Sequence, residues 1–188
     1  MSAPIGAASR EEQMILRGRA ISLCAQLFSE EADPAQAAGA LDDLLPSLGV
    51  TADGALTVLS MDFQKPLLNG DVPPYETSYE PGPGSTGGKT FQMADIAGFY
   101  RAFGFEVRGQ RPDHIAPELE FMALVMVKEA HASLSGQIEA VDVCAAARGK
   151  FIHEHLGAWL PLMQERAEAG GHTQIASVVR LARRLSGA

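Results

Sequence analysis

A chain of 188 residues with 46% apolar and 20% charged side chains has the length and balance of one folded domain, which excludes a disordered, charge-rich polymer. Its formal charge of −8 gives the surrounding field the wrong sign for neutralising phosphates, so nucleic acid is excluded as a partner and a basic ligand is favoured. Residues 1–8 lack the basic and apolar regions of an export signal, and the longest apolar run, residues 121–127, is far short of the ~20 residues needed to cross a bilayer. The expectation is a cytoplasmic protein with no stable membrane insertion.

Ser9 with Glu12 three residues on has capping-box spacing, and Met14, Gly18, Ile21, Ala25 and Phe28 recur at helical intervals, predicting a first helix that ends near Glu31. Asp33-Pro34 reads as an N-cap followed by proline at the first helical position, opening a short helix through Leu41, Leu44 and Leu45 that Pro46 and Gly49 close. Residues 55–68 read as helical. Across residues 70–89, Pro73, Pro74, Pro81 and Pro83 with Gly82, Gly84, Gly87 and Gly88 deny both helix and central strand. A structureless loop of this length is uncommon inside a compact domain unless it is functional or disordered, and Tyr75 and Tyr79 interrupt its polar character.

Helical spacing resumes at Met93, Ile96, Phe99, Tyr100 and Phe103, and a Gly-rich turn through Gly109 leads to Arg111, Pro112, Asp113, His114 and another helix. Residues 121–127 are apolar enough for a buried strand, but Glu118, Glu120, Lys128 and Glu129 flank them without turn signals, which favours helix. Residues 138–156 carry Ile138, Val141, Ala145, Phe151 and Ile152 as an apolar face. Trp159 with Pro161 marks a bend into a short polar stretch that ends at Gly170 and Gly171. The last helix places Ile175, Val178, Val179, Ala182 and Leu185 on its apolar side, with Arg180, Arg183 and Arg184 near its C-terminus, where cations suit the dipole. With no alternating strand and no internal repeat, the expected fold is all-α, a single-domain helical bundle over residues 1–188. Cys24 and Cys144 sit among apolar neighbours and read as small buried hydrophobes rather than a disulfide pair.

Two motifs suggest chemistry and fall short of it. Pro83-Gly84-Ser85-Thr86-Gly87-Gly88-Lys89-Thr90 is similar to a phosphate-binding loop, yet Pro83 stands where glycine is required and no apolar strand precedes it. His153-Glu154-His155 has the letters of a metal site, but residues two apart on a helix diverge, and no Cys/His cluster offers further ligands; no metal and no cofactor is expected. No Gly-x-Ser-x-Gly elbow occurs and neither cysteine sits in an electropositive exposed turn, so an enzyme lacks a mechanism here. The stretch from Pro112 through Asp113, His114, Pro117 and Glu118 differs, setting a carboxylate and an imidazole at a helix start beside the tyrosine-bearing loop. It has two readings: Asp113 as an N-cap with acidic residues on the dipole, or a binding site.

Three blocks, in order, resemble the cytoplasmic chaperones dedicated to molybdenum enzymes, the TorD/DmsD/NarJ group of redox enzyme maturation proteins. They are Pro74-Tyr75-Glu76-Thr77-Ser78-Tyr79; the run from Ala94-Asp95-Ile96 to Phe103-Gly104-Phe105 with Arg111-Pro112-Asp113-His114 and Glu118-Leu119-Glu120-Phe121-Met122; and Phe151-Ile152-His153-Glu154-His155-Leu156-Gly157-Ala158-Trp159-Leu160-Pro161. Upstream of Leu68 only helical periodicity is compatible. The resemblance implies a TorD-like helical fold and a non-catalytic binding function. The partners it implies are the twin-arginine signal peptide and the catalytic subunit of a molybdenum enzyme of the DMSO reductase family, held until cofactor insertion is complete; some relatives serve clients that are not exported. It carries a groove-lining Asp-His pair onto Asp113 and His114, with Pro112 as neighbour. Guanidinium groups need carboxylates and an apolar run needs an aromatic groove, so Asp113 and Glu118 are expected to meet the arginines and Tyr75, Tyr79, Tyr100 and Phe103 the apolar segment. The loop and the Tyr75–Tyr79 block point to chaperones of the ethylbenzene dehydrogenase, selenate reductase and chlorate reductase branch. The competing readings are a nucleotide-binding switch or enzyme using Gly84 to Thr90, and a helical interaction module unrelated to export.

Overall fold

In a computed structural model of the chain, which describes residues 8–54, 56, 63–79 and 88–188, the first capping box is made as its spacing predicts. Ser9 Oγ accepts the Glu12 N–H at 3.1 Å and the Glu12 carboxylate accepts the Ser9 N–H at 2.7 Å, starting helix α1 (Arg10–Leu27). This helix stops short of Glu31 because Ser29 Oγ takes the Glu31 N–H, a local bond that competes with the helical ladder. Helix α2 (Pro34–Leu44) is capped by Asp33, whose carboxylate accepts the Ala35 and Gln36 N–H groups. A 3₁₀ turn (Leu45–Leu48) follows and is closed by Gly49 at φ 62°. Of the helix expected over residues 55–68, helix α3 (Lys65–Leu68) is one turn; residues 55 and 57–62 lie outside the described residues.

The remaining helices are α4 (Lys89–Ala102), α5 (Ile115–Leu134), α6 (Ile138–Phe151), α7 (Gly157–Ala169) and α8 (Thr173–Ser186). Among the described residues there is no strand, only a single antiparallel bridge between Tyr75 and His114, so the fold is the all-α bundle expected. Helix α5 is its axis, with Ile115, Leu119, Phe121, Met122 and Val125 fully buried and α1, α6 and α8 packed around it. Helices α1 and α5 approach closely at Gly18, where a Cβ would stand 3.1 Å from both the Ala123 carbonyl oxygen and Val127 Cγ2. The apolar side expected for α8 is buried as drawn. No described helix is long and apolar enough to cross a membrane, and both cysteines are buried and free.

Two expectations are corrected. The apolar face of α6 does not include Ile138, which is 75% exposed; this helix packs chiefly on α5 and buries only Cys144 and Phe151. Trp159 and Pro161 do not mark a bend into a polar stretch. Instead α6 passes into a π turn (Ile152–Leu156) in which the Gly157 N–H reaches back five residues to the Ile152 carbonyl, and α7 runs on through Pro161 to Ala169. Trp159, Leu160, Met163 and Ala167 form its buried side, at a helical spacing that outweighs the one ladder bond lost at the proline. Gly157 is required there, since a Cβ would lie 2.7 Å from the Ile152 carbonyl oxygen.

Gly18→Val should lower stability by about 1–3 kcal/mol, because the added methyls meet backbone that has no room to give. Urea denaturation read by circular dichroism measures it; an unchanged midpoint would show that α1 and α5 are not in this contact.

Candidate functional site

The polar segment after α3 gains its structure from the loop ahead of α5. The Ile115 N–H donates to the Pro74 carbonyl at 2.9 Å and the Glu76 N–H to the Asp113 carbonyl at 2.8 Å, laying residues 74–79 beside residues 111–115. A 3₁₀ turn (Glu76–Ser78) then brings Thr77 to the Asp113 carboxylate, where Thr77 Oγ1 donates at 2.7 Å. Arg111 grips the same carboxylate with Nε at 3.0 Å and Nη2 at 2.7 Å, and its guanidinium lies 4.6 Å from the centre of the Tyr75 ring. Asp113 has no exposed surface and both its oxygens are filled.

His114, not Asp113, is the N-cap of α5: its Nδ1 accepts the Ala116 N–H at 3.1 Å. The capping reading of Asp113 is therefore corrected, because its carboxylate is turned toward Arg111 and Thr77. Burial holds the His114 imidazole down to about 4, with Arg111 opposing its charge further while Asp113 favours it, so it is neutral at neutral pH. Its ring meets Tyr75 edge-on at 5.2 Å. Tyr100 donates from its hydroxyl to the Pro112 carbonyl at 2.8 Å, and Tyr79 to the Pro73 carbonyl at 2.9 Å while stacking near Trp159. Burial raises both phenols, which remain protonated donors.

Beneath this layer Glu118 is fully buried and accepts the Trp159 indole N–H at 2.9 Å through one oxygen, while its other oxygen has no donor. Burial first, and then the neighbouring Glu76 carboxylate, hold Glu118 well above the usual carboxylate range, so its protonated form is favoured. Glu76 in turn lies 3.1 Å through each oxygen from His155 Nδ1.

These contacts bring Tyr75, Tyr79, Tyr100, Pro112, Asp113, His114 and Glu118 into one region. Only Tyr75 and His114 reach an open cleft, of about 350 Å³, shared with Phe28, Glu30, Leu67, Leu68 and Pro74. Tyr79, Tyr100, Asp113 and Glu118 are buried and do not line it. Phe103 is elsewhere: its ring packs on Phe121 and borders a separate depression with Lys128 and Val143. Sequence reasoning missed Thr77, Arg111, Glu76 and His155 as partners, although all four lie inside the quoted blocks. It also missed Phe28, Glu30 and Leu68, which come from the half where only periodicity was visible. The phosphate-loop motif lies largely outside the described residues; Gly88 is the N-cap position of α4 and Lys89 its first residue. No described cysteine is activated, since burial pushes the Cys24 thiol up to about 12 and raises that of Cys144.

The family described as nitrate reductase delta subunit matches the chain over residues 29–165. A chlorate reductase assembly chaperone from Ideonella dechloratans is 36% identical over 80 residues, which cover 41% of this chain and 40% of that relative. A selenate reductase assembly chaperone from Thauera selenatis is 35% identical over 80 residues, with the same shares. A perchlorate reductase assembly chaperone from Dechloromonas aromatica is 32% identical over 85 residues, covering 44% of this chain and 37% of that protein. The matched segments thus span about two fifths of these relatives' length. No solved structure matches the chain significantly.

His114 and Glu118 should tilt the pH dependence of stability in opposite directions. The folded pKa of His114 is depressed, so its contribution is present above the unfolded value near 6.5 and is lost as pH falls toward about 4. His114→Asn keeps a cap oxygen and should flatten the loss between those limits in thermal melts compared with the parent. Glu118 is raised, so its contribution is present at low pH and lost as pH rises through the folded value. Glu118→Gln, which still accepts from Trp159, should melt higher than the parent at pH 8 and lose that advantage near pH 4. A lower melting point for Glu118→Gln at pH 8 would mean that the group is ionised and paired.

Proposed function

The chain belongs to the nitrate reductase delta subunit family, and we propose from that membership that it is a cytoplasmic chaperone for the assembly of a molybdenum-containing oxidoreductase. In this reading it binds the client's twin-arginine signal peptide and apo-enzyme until cofactor insertion is complete, and is not itself a catalyst. The observation that carries the reading is the family match through the Asp-His block, joined by relatives named as assembly chaperones of chlorate, selenate and perchlorate reductases. The client in this reading is the catalytic subunit of a molybdenum enzyme of the DMSO reductase family.

The cleft supports the peptide-binding part. A twin-arginine signal joins basic residues to an apolar run, and the cleft offers the exposed Leu68 and half-buried Tyr75 to the run, over a floor that includes the buried Phe28 and Pro74, with the exposed Glu30 for the arginines. Leu68 is 65% exposed, a large apolar side chain held in water at the cleft's edge. The net charge of −8 favours the encounter, acting on association rate more than on final affinity. Asp113 and Glu118 serve as positioning residues: a peptide arginine reaches Asp113 only by displacing Arg111. Tyr79 holds Pro73 at the cleft and Tyr100 holds Pro112 next to Asp113, and Phe103 belongs to a second surface available to the apo-enzyme.

Calorimetric titration with the signal peptide of a candidate reductase subunit tests this. Saturable binding is expected, weakened about tenfold by Leu68→Asp or Tyr75→Ala in variants that remain folded. Asp113→Asn should weaken binding together with stability. Binding untouched by the Leu68 and Tyr75 substitutions would move the peptide off this cleft. No binding to any such peptide would remove the export role and leave assembly of a client that stays inside.

A further inference from the structure

His155 is buried to 3% exposure while His153, two residues earlier in the same π turn, points to solvent. Its Nδ1 faces both oxygens of the buried Glu76 carboxylate at 3.1 Å. A carboxylate in that position keeps the proton on Nδ1 and leaves the Nε2 lone pair directed away from it. Nε2 is buried and has no hydrogen-bond partner, so the ring pays for burial without satisfying its second nitrogen. What Nε2 faces is Asp95 on α4, with Oδ2 at 3.3 Å. Glu154 adds a second carboxylate, and one ligand atom from each of Asp95, Glu154 and His155 lies within 4.8 Å of the others.

We propose that Asp95, Glu154 and His155 form a binding site for a divalent first-row transition-metal cation of the Zn²⁺ type, with Glu76 as the outer carboxylate that orients His155. Donors bound at ~2.0–2.2 Å in a tetrahedral array stand roughly 3.3 Å apart. The spacing of His155 Nε2 and Asp95 Oδ2 already has that value. Glu154 is exposed and closes the remaining distance by rotating its own side chain. The imidazole selects borderline transition metals over Mg²⁺ and Ca²⁺, which take oxygen-rich shells. Asp95 and Glu154 reach solvent, so the fourth position is open to water or to a donor from a bound partner. One group competes: the Lys150 ammonium pairs with Glu154 at 3.6 Å.

The test is calorimetric titration of the untagged full chain, stripped with chelator, with ZnCl₂ and in parallel with MgCl₂. One equivalent of Zn²⁺ should bind and Mg²⁺ should not. Asp95→Asn and Glu154→Gln, both at surface-reaching positions that leave the core intact, should each weaken Zn²⁺ by about tenfold or more. Lys150→Ala should strengthen it, and His153→Ala should leave it unchanged. Absence of saturable Zn²⁺ binding, binding retained by the Asp95→Asn/Glu154→Gln double variant, or binding lost in His153→Ala would each overturn the proposal.

Discussion

A carboxylate with no exposed surface must be paired, and the pairing of Asp113 organises everything around it. Arg111 supplies a two-pronged cationic grip and Thr77 a hydroxyl, so one buried charge joins the segment after α3 to the loop before α5. Leaving such a charge unpaired costs about 3–5 kcal/mol, against about 1 kcal/mol for a typical cap bond. That difference explains why the cap falls to His114 while Asp113 turns to Arg111. It also fixes the ring of Tyr75, which lies under the guanidinium and forms part of the cleft wall.

The second consequence is a buried polar chain crossing the bundle. Trp159 on α7 donates to Glu118 on α5, Glu118 neighbours Glu76, and Glu76 meets His155 in the π turn. Burial first, and then the Glu76 carboxylate beside it, hold Glu118 well above the usual carboxylate range. The elements touched by this chain are those carrying the three blocks that resemble the maturation chaperones, so those blocks are neighbours in space as well as in order.

Much of this was legible in the sequence because the signals were local. Ser9 with Glu12 and Asp33 with Pro34 made their caps, and the stripe from Ile175 to Leu185 was buried as spaced. The Asp-His block was found, but its wiring was not, because Thr77, Glu76 and Asp95 meet Asp113 and His155 only through tertiary contacts of long sequence separation. Ile138 misled because a helix packed on one neighbour needs few apolar positions and leaves others in water. Pro161 misled because a proline near a helix start costs one bond, and the buried stripe from Trp159 to Ala167 was worth more. His153 and His155 diverge as helical spacing requires; which of them turned inward depended on a π turn that carries no sequence letter of its own.

That π turn also sets the phase of α7 against the rest of the bundle. Each residue of an α-helix advances its neighbours by about 100°. One residue removed from Ile152–Leu156 would restore a continuous α-helix and swing all of α7 by that angle about its axis. Trp159 would rotate off Glu118, and Met163 and Ala167 would turn away from the core. The helix from Ile138 to Ala169 therefore behaves as two helices indexed against each other by a single inserted residue, with Gly157 as the tooth that holds the offset.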